Sequence, residues 1–196
     1  MPFIAFLGCD GSGKSAVIQG IAARLTAEGH KVTLGHWRPK PFAAATGSQP
    51  NSADDPHGQS PRGLLTSILK LGWLWFNWWV AWLLYLRRDS RKGFVLFDRF
   101  HGDLLVDPKR YRYGGPLWLA RLASRWMPQP EQVIFLDAPP EVLLSRKQEV
   151  SAESLNRSRA AYRKLAHNKH QFRIVDASQS LEAVIATVSA EIHQPA

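Results

Sequence analysis

Apolar and polar positions along the chain change period several times, and each change marks an element. FIAFL (3–7) is an unbroken apolar run that opens into a glycine-rich loop, and FVLFD (94–98), VIFLD (133–137) and FRIVD (172–176) are similar runs, each closed by an aspartate. Short runs without alternation suit parallel strands buried on both faces. KVTLGHW (31–37) supplies a fifth strand candidate. Between the first two strands the period becomes helical: Val17, Ile18, Ile21, Ala22 and Leu25 share a face, and Gly29 is a natural stop. Further helices are expected over 64–88, 116–126, 140–147, 154–167 and 181–192. Strands alternating with helices predict an α/β fold, with a parallel sheet of about five strands flanked by helices. No repeat or second domain is visible, so 1–196 reads as one domain. Residues 38–63 are rich in Pro, Gly, Ser and Asn without periodicity, and are expected to form a long mobile or functional loop.

The stretch LGWLWFNWWVAWLLYL (71–86) stands apart, with five tryptophans and no charged residue. Its apolar side chains lie on every helical face, which predicts a helix that is not half-exposed to water. Three readings follow. The first is a buried core helix or a homodimer face. The second is a helix over 64–92 lying on a membrane, held by its tryptophans and by Arg87, Arg88, Arg91 and Lys92. The third is a membrane span, which Thr66, Ser67 and Lys70 interrupt.

Composition narrows the partners. Hydrophobic residues make up 45% of the chain, which is globular, and the formal charge of +9 favours anionic partners. One cysteine, Cys9, excludes an internal disulfide framework and suits a reducing cytoplasm. The first residues carry no basic segment followed by a long apolar run, so no secretion signal is expected.

The chemistry concentrates in GCDGSGKS (8–15), which matches G-x-x-x-x-G-K-[ST] after a strand and before a helix. Gly8, Gly11 and Gly13 let backbone N–H groups converge on an anion. Ser12, Ser15 and Ala16 line the same turn, at the positive end of the coming helix. Lys14 would reach the β- and γ-phosphates of ATP, and Ser15 would ligate Mg²⁺. Asp98 ends an apolar strand, where a second metal-side carboxylate belongs, and Arg99 beside it can grip a phosphate. Asp137 and Asp176 also end strands, so position alone does not single out Asp98.

Together GCDGSGKS, FDRF, FLDAPPEVLLSRK (135–147) and IVDASQSLEAV (174–184) resemble the thymidylate kinase family of P-loop nucleoside monophosphate kinases, in family order and over nearly the whole chain. The resemblance implies the three-layer P-loop NTPase fold, ATP as donor with Mg²⁺, and a homodimer. It implies that Asp10, the carboxylate inside the loop, faces the acceptor and binds a sugar hydroxyl, and that Arg99 holds the acceptor phosphate. The family places a catalytic arginine in the loop or in a lid. Gly11 and Ser12 offer none, so a short lid over 145–159 should supply it, from Arg146, Arg157 or Arg159.

The acceptor half departs from the family pattern. HGDLLVDPKRYRYGG (101–115) replaces the base-reading stretch, and Arg38 in WRPKP is what remains of the family's arginine-bearing loop. Asp103 is placed to take a proton from an attacking hydroxyl, with Lys109, Arg110, Arg112, Tyr111 and Tyr113 around it. The expected activity is therefore ATP-dependent phosphoryl transfer to a nucleoside monophosphate such as dTMP. The alternative acceptor is a non-nucleotide hydroxyl, on a sugar or glycan end. A nucleotide-binding regulatory or membrane-associated protein without turnover is the rival of another class. The expected partners are ATP and a small-molecule or glycan acceptor, not nucleic acid, and the expected location is the cytoplasm or the inner membrane face.

Overall fold

β1 (Phe3–Gly8) and β4 (Gln132–Asp137) are buried along their whole length, as unbroken apolar runs require. In chain order the other elements are α1 (Lys14–Ala27), β2 (Lys31–His36), α2 (Leu64–Ala81), a π-helical stretch (Trp82–Leu86), α3 (Arg87–Lys92), β3 (Gly93–Asp98), α4 (Asp103–Val106), α5 (Leu117–Arg125), α6 (Pro140–Arg146), α7 (Ala152–Ala166), β5 (Phe172–Asp176) and α8 (Leu181–Glu191). This computed structural model describes residues 2–39, 62–147, 151–167 and 169–192. Most of the expected 38–63 loop and part of the 145–159 lid, residues 148–150, lie outside them.

The chain falls into two compact units, one of residues 1–37, 88–100 and 130–196, the other of residues 38–87 and 101–129. The first holds an all-parallel five-stranded sheet in the order β2-β3-β1-β4-β5, flanked by helices. After β1 the chain crosses to one side of the sheet for β2. After β3 it crosses to the other side for β4. The connections thus diverge at β1, and in open parallel sheets ligands bind at the carboxyl ends of the strands flanking such a point. Phe6 pairs with Asp98 and Gly8 with Leu136, so the ends of β1, β3 and β4 lie side by side there.

Local chemistry fixes the flanking helices. α1 ends in a Schellman turn: His30 N–H donates to Leu25 O and Gly29 N–H to Thr26 O, with Gly29 at φ 85°. α3 carries the helical path to Lys92, beyond the expected end at residue 88. Asp89 anchors that last turn to β2, accepting from Lys31 Nζ at 3.1 Å and Thr33 Oγ1 at 3.4 Å.

In the second unit α2 buries Leu71, Leu74, Trp78 and Ala81. Trp79 Nε1 donates to Trp126 O at 2.9 Å and ties α2 to the end of α5. His101 is buried, edge-on to Trp78 and bonded to Ser124 Oγ and Pro128 O. Within the single chain α2 is not buried on every face, so the core-helix reading alone does not account for it. Leu65, Leu69, Trp73 and Phe76, with Leu83 and Leu84 of the π-helical stretch, stand exposed. The helix is apolar nearly all round, but within the chain it buries one side, Ser67, Leu71, Leu74, Asn77, Trp78 and Ala81. None of the described helices is long and apolar enough to cross a membrane.

Candidate active site

The glycine-rich loop leaves β1 at the divergence point. Gly11 has φ 83°, and a Cβ there would lie 2.6 Å from Leu143 O, so both conformation and space exclude a side chain. Gly8 is excluded on space, because its Cβ would meet Leu136 O at 2.8 Å. Lys14 is buried and folds back across the loop, where Nζ donates to Gly8 O and Cys9 O, both at 2.9 Å, and to Ser12 Oγ at 3.3 Å. Gly13 forms the N-cap of α1 in a left-handed conformation, and no side chain caps the helix. The first-turn N–H groups of α1 therefore lack a side-chain acceptor, beside exposed Gly13, Ser15 and Ala16. Burial pushes the Cys9 thiol up to about 11, so it is a packing group and not a nucleophile.

Ser15 Oγ donates to Asp98 Oδ2 at 3.4 Å, joining the first turn of α1 to the end of β3 across 83 residues of sequence. Asp98 Oδ1 is buried and has no hydrogen-bond partner. A buried carboxylate oxygen in that state is costly unless a cation or donor meets it. Among the described residues no group of three His, Cys, Asp or Glu side chains could form a closed metal cage. One hydroxyl and one carboxylate fit Mg²⁺, which keeps several waters and shares its coordination with substrate phosphates.

Asp10 and Arg99, assigned separately to the acceptor, are bonded to each other: Arg99 Nη2 donates to Asp10 Oδ1 at 2.9 Å. Arg99 Nη1 donates to the hydroxyl of Tyr162 on α7 at 3.2 Å. Arg99 is 5% exposed and sits at φ 67°. A non-glycine residue in that region costs about 1–2 kcal/mol, so its surroundings impose the conformation. The Tyr162 ring is fixed in turn against Phe135, with centroids 5.1 Å apart.

The three arginines expected in a lid have separate fates. Arg159 grips Asp137 at the end of β4 with both Nε (2.7 Å) and Nη2 (3.2 Å). Arg163, one helical turn on, adds Nη2 at 2.6 Å and Nε at 3.1 Å. Burial alone would raise the Asp137 carboxyl, but the hydrogen bonds and charges of Arg159 and Arg163 outweigh it and hold it below the usual aspartate value. The bond to Asp137 raises Arg159 in turn. Arg146 docks on backbone, donating to Ala177 O at 2.8 Å and Gln179 O at 3.5 Å. Arg157 lies on the surface, paired with Glu153 at 2.8 Å. Sequence reasoning missed Asp137 and Arg163 as site residues. The available signal was the four-residue spacing of Arg159 and Arg163 opposite a strand-end aspartate.

Arg38 and Asp103 belong to the second unit, where Arg38 is exposed and Asp103 fully buried. Asp103 accepts a short hydrogen bond from the Tyr111 hydroxyl, and Tyr113 donates to Pro116 O at 3.1 Å. Both tyrosine hydroxyls of the basic 109–113 segment are thus engaged within the unit. No protein-family model matches the chain, and no curated protein does.

Proposed function

We propose that the chain is an ATP- and Mg²⁺-dependent kinase of the P-loop, nucleoside monophosphate kinase-like type, with a nucleoside monophosphate resembling dTMP as acceptor. One observation carries the reading: Ser15 and Asp98 meet beside a buried, unpartnered carboxylate oxygen at the uncapped start of α1. Ser15 and Asp98 would hold Mg²⁺, which neutralises phosphate charge and orients the β- and γ-oxygens when bound. The N–H groups of the loop and of the first turn of α1 cradle the phosphates. Lys14 exchanges the carbonyls of Gly8 and Cys9 for phosphate oxygens, so the loop arrives with its cation already stored. The acceptor oxygen forms its bond to phosphorus as the bond to ADP breaks, and the acceptor proton leaves to a base or to water. Of the three lid candidates, Arg159 is the one fixed at a strand end of the sheet, paired with Asp137 at the end of β4, and it would stabilise that transfer only by sharing or leaving that carboxylate. A cytoplasmic location goes with this reading, supported by the lone, buried Cys9.

The second acceptor reading, a non-nucleotide hydroxyl, is favoured by the Arg99–Asp10 pair. An arginine already neutralised by a carboxylate is a poorer grip for an acceptor phosphate than an uncompensated one. ADP release measured across nucleoside monophosphates, sugars and oligosaccharides separates the two readings. Lys14→Ala should lower turnover on the order of 10²-fold or more without unfolding the chain. Near-normal turnover in that variant, or ATP binding with no turnover on any acceptor, defeats the kinase reading.

A further inference from the structure

We infer that the second unit docks on an anionic lipid bilayer, through the exposed apolar face of α2 and the tryptophan–arginine stripe of α5. The inference is independent of the kinase reading.

Leu65, Leu69, Trp73 and Phe76 recur at three- and four-residue spacing and are each close to half exposed or more. Leu83 and Leu84 extend the stripe, and half-buried Lys70 is the one charged residue between 65 and 84. A contiguous apolar face of this kind marks an interaction surface. α5, joined to α2 through the Trp79–Trp126 bond, is built differently. Its exposed positions are Leu117, Trp118, Arg121, Leu122 and Arg125, with exposed Trp126 just past its end, so apolar side chains and cations share one side. Tryptophans with arginines beside them suit the boundary between headgroups and acyl chains, where the ring lies in the apolar layer and the cation meets phosphate.

Charge decides between a bilayer and a second copy. The described residues of this unit include nine Lys and Arg against two Asp and no Glu. Neither aspartate is exposed: Asp103 is buried and Asp107 half-buried. Two copies joined by this face would bring like charges together around it, whereas an anionic leaflet complements them. No described helix is long and apolar enough to cross a membrane, which leaves binding along the surface.

The test is co-sedimentation of the full chain with vesicles of phosphatidylcholine alone and of phosphatidylcholine with phosphatidylglycerol, at low and high salt. The chain should pellet with the anionic vesicles, with a blue shift of tryptophan emission, and be released by salt. Each basic residue near such a surface contributes roughly fivefold to partitioning. Arg121→Glu/Arg125→Glu should therefore weaken it by about 25-fold or more. Leu69→Glu/Trp73→Glu should abolish the blue shift, with folding checked by circular dichroism. The wild-type comparison of lipids and salts needs no variant. The inference is overturned if the chain stays in solution with anionic vesicles or binds neutral ones equally well. It is also overturned if wild type forms a dimer that Trp73→Glu splits while neither binds vesicles, because the face then joins two copies.

Discussion

At the end of β4 one carboxylate serves two arginines. Asp137 is 6% exposed and its oxygens take four hydrogen bonds from Arg159 and Arg163. Removing one partner from a buried pair leaves an uncompensated charge, at about 3–5 kcal/mol. Arg163 is largely exposed and its share is screened, so Asp137→Asn should cost nearer the lower bound, about 3 kcal/mol at neutral pH. The Asp137 carboxyl lies lower in the folded chain than in the unfolded one. Its contribution is therefore complete above the ordinary aspartate range, about pH 4, and is lost as pH falls through the depressed folded value. Urea midpoints measured from neutral to acid pH should converge for wild type and Asp137→Asn. A gap that stays constant to the acid end would show that the effect is not ionisation. The Asp10–Arg99 pair makes a different demand, because the kinase reading asks it to face an acceptor. Asp10→Asn keeps the shape and removes the charge. ATP affinity by calorimetry should be nearly unchanged while kcat/KM for the acceptor falls, and an equal loss in both would place Asp10 on the donor side.

Strand pairing sets tighter limits than composition suggests. Gly93 opens β3 opposite Lys31 of β2, and a Cβ there would lie 2.1 Å from Lys31 O. Backbone is the obstacle, so no rotamer change relieves it, and β2 would have to shift along the ladder that runs to His36–Asp98. Gly93→Ala should cost about 1–3 kcal/mol, read as a lower urea midpoint at unchanged slope. That glycine carries no signal in sequence, since its constraint comes from a strand some sixty residues away in the chain. What was legible was periodic. Among the described residues all five strands and the helices α1, α5, α6, α7 and α8 lie within a few residues of where the sequence pattern put them, and the helical path from α2 through α3 runs four residues past its expected end, because burial on a parallel sheet leaves a strong local pattern. The four-residue α4 and the π-helical stretch left none. At the site, the Ser15–Asp98 meeting was legible, since each residue closes a recognisable motif. The bond between Asp10 and Arg99 and the clamp on Asp137 were not, because they depend on which strand ends lie side by side and how α7 crosses them.

At the scale of the whole molecule, every donor-side residue of the proposed kinase lies in the first unit: the glycine-rich loop, Lys14, Ser15 and Asp98. A ligand that binds only the folded state stabilises it by mass action, about 2.7 kcal/mol at a hundredfold excess over Kd. For a chain of this size each kcal/mol moves Tm by about 2–4 °C, so saturating Mg²⁺–ATP should raise it by roughly 5–10 °C. Mg²⁺ alone should do little, because one hydroxyl and one carboxylate are a sparse donor set without phosphate oxygens. Lys14→Ala should lose most of the rise, and Asp98→Asn should lose the part that depends on Mg²⁺. Hydrogen exchange gives the location. Added protection should fall on the end of β1, the first turns of α1 and the end of β3, and not on α2 or α5, if the nucleotide sits where the sheet connections diverge. Protection that appears first on α2 would mean that the nucleotide binds the second unit, and the unpartnered oxygen of Asp98 would then need another explanation.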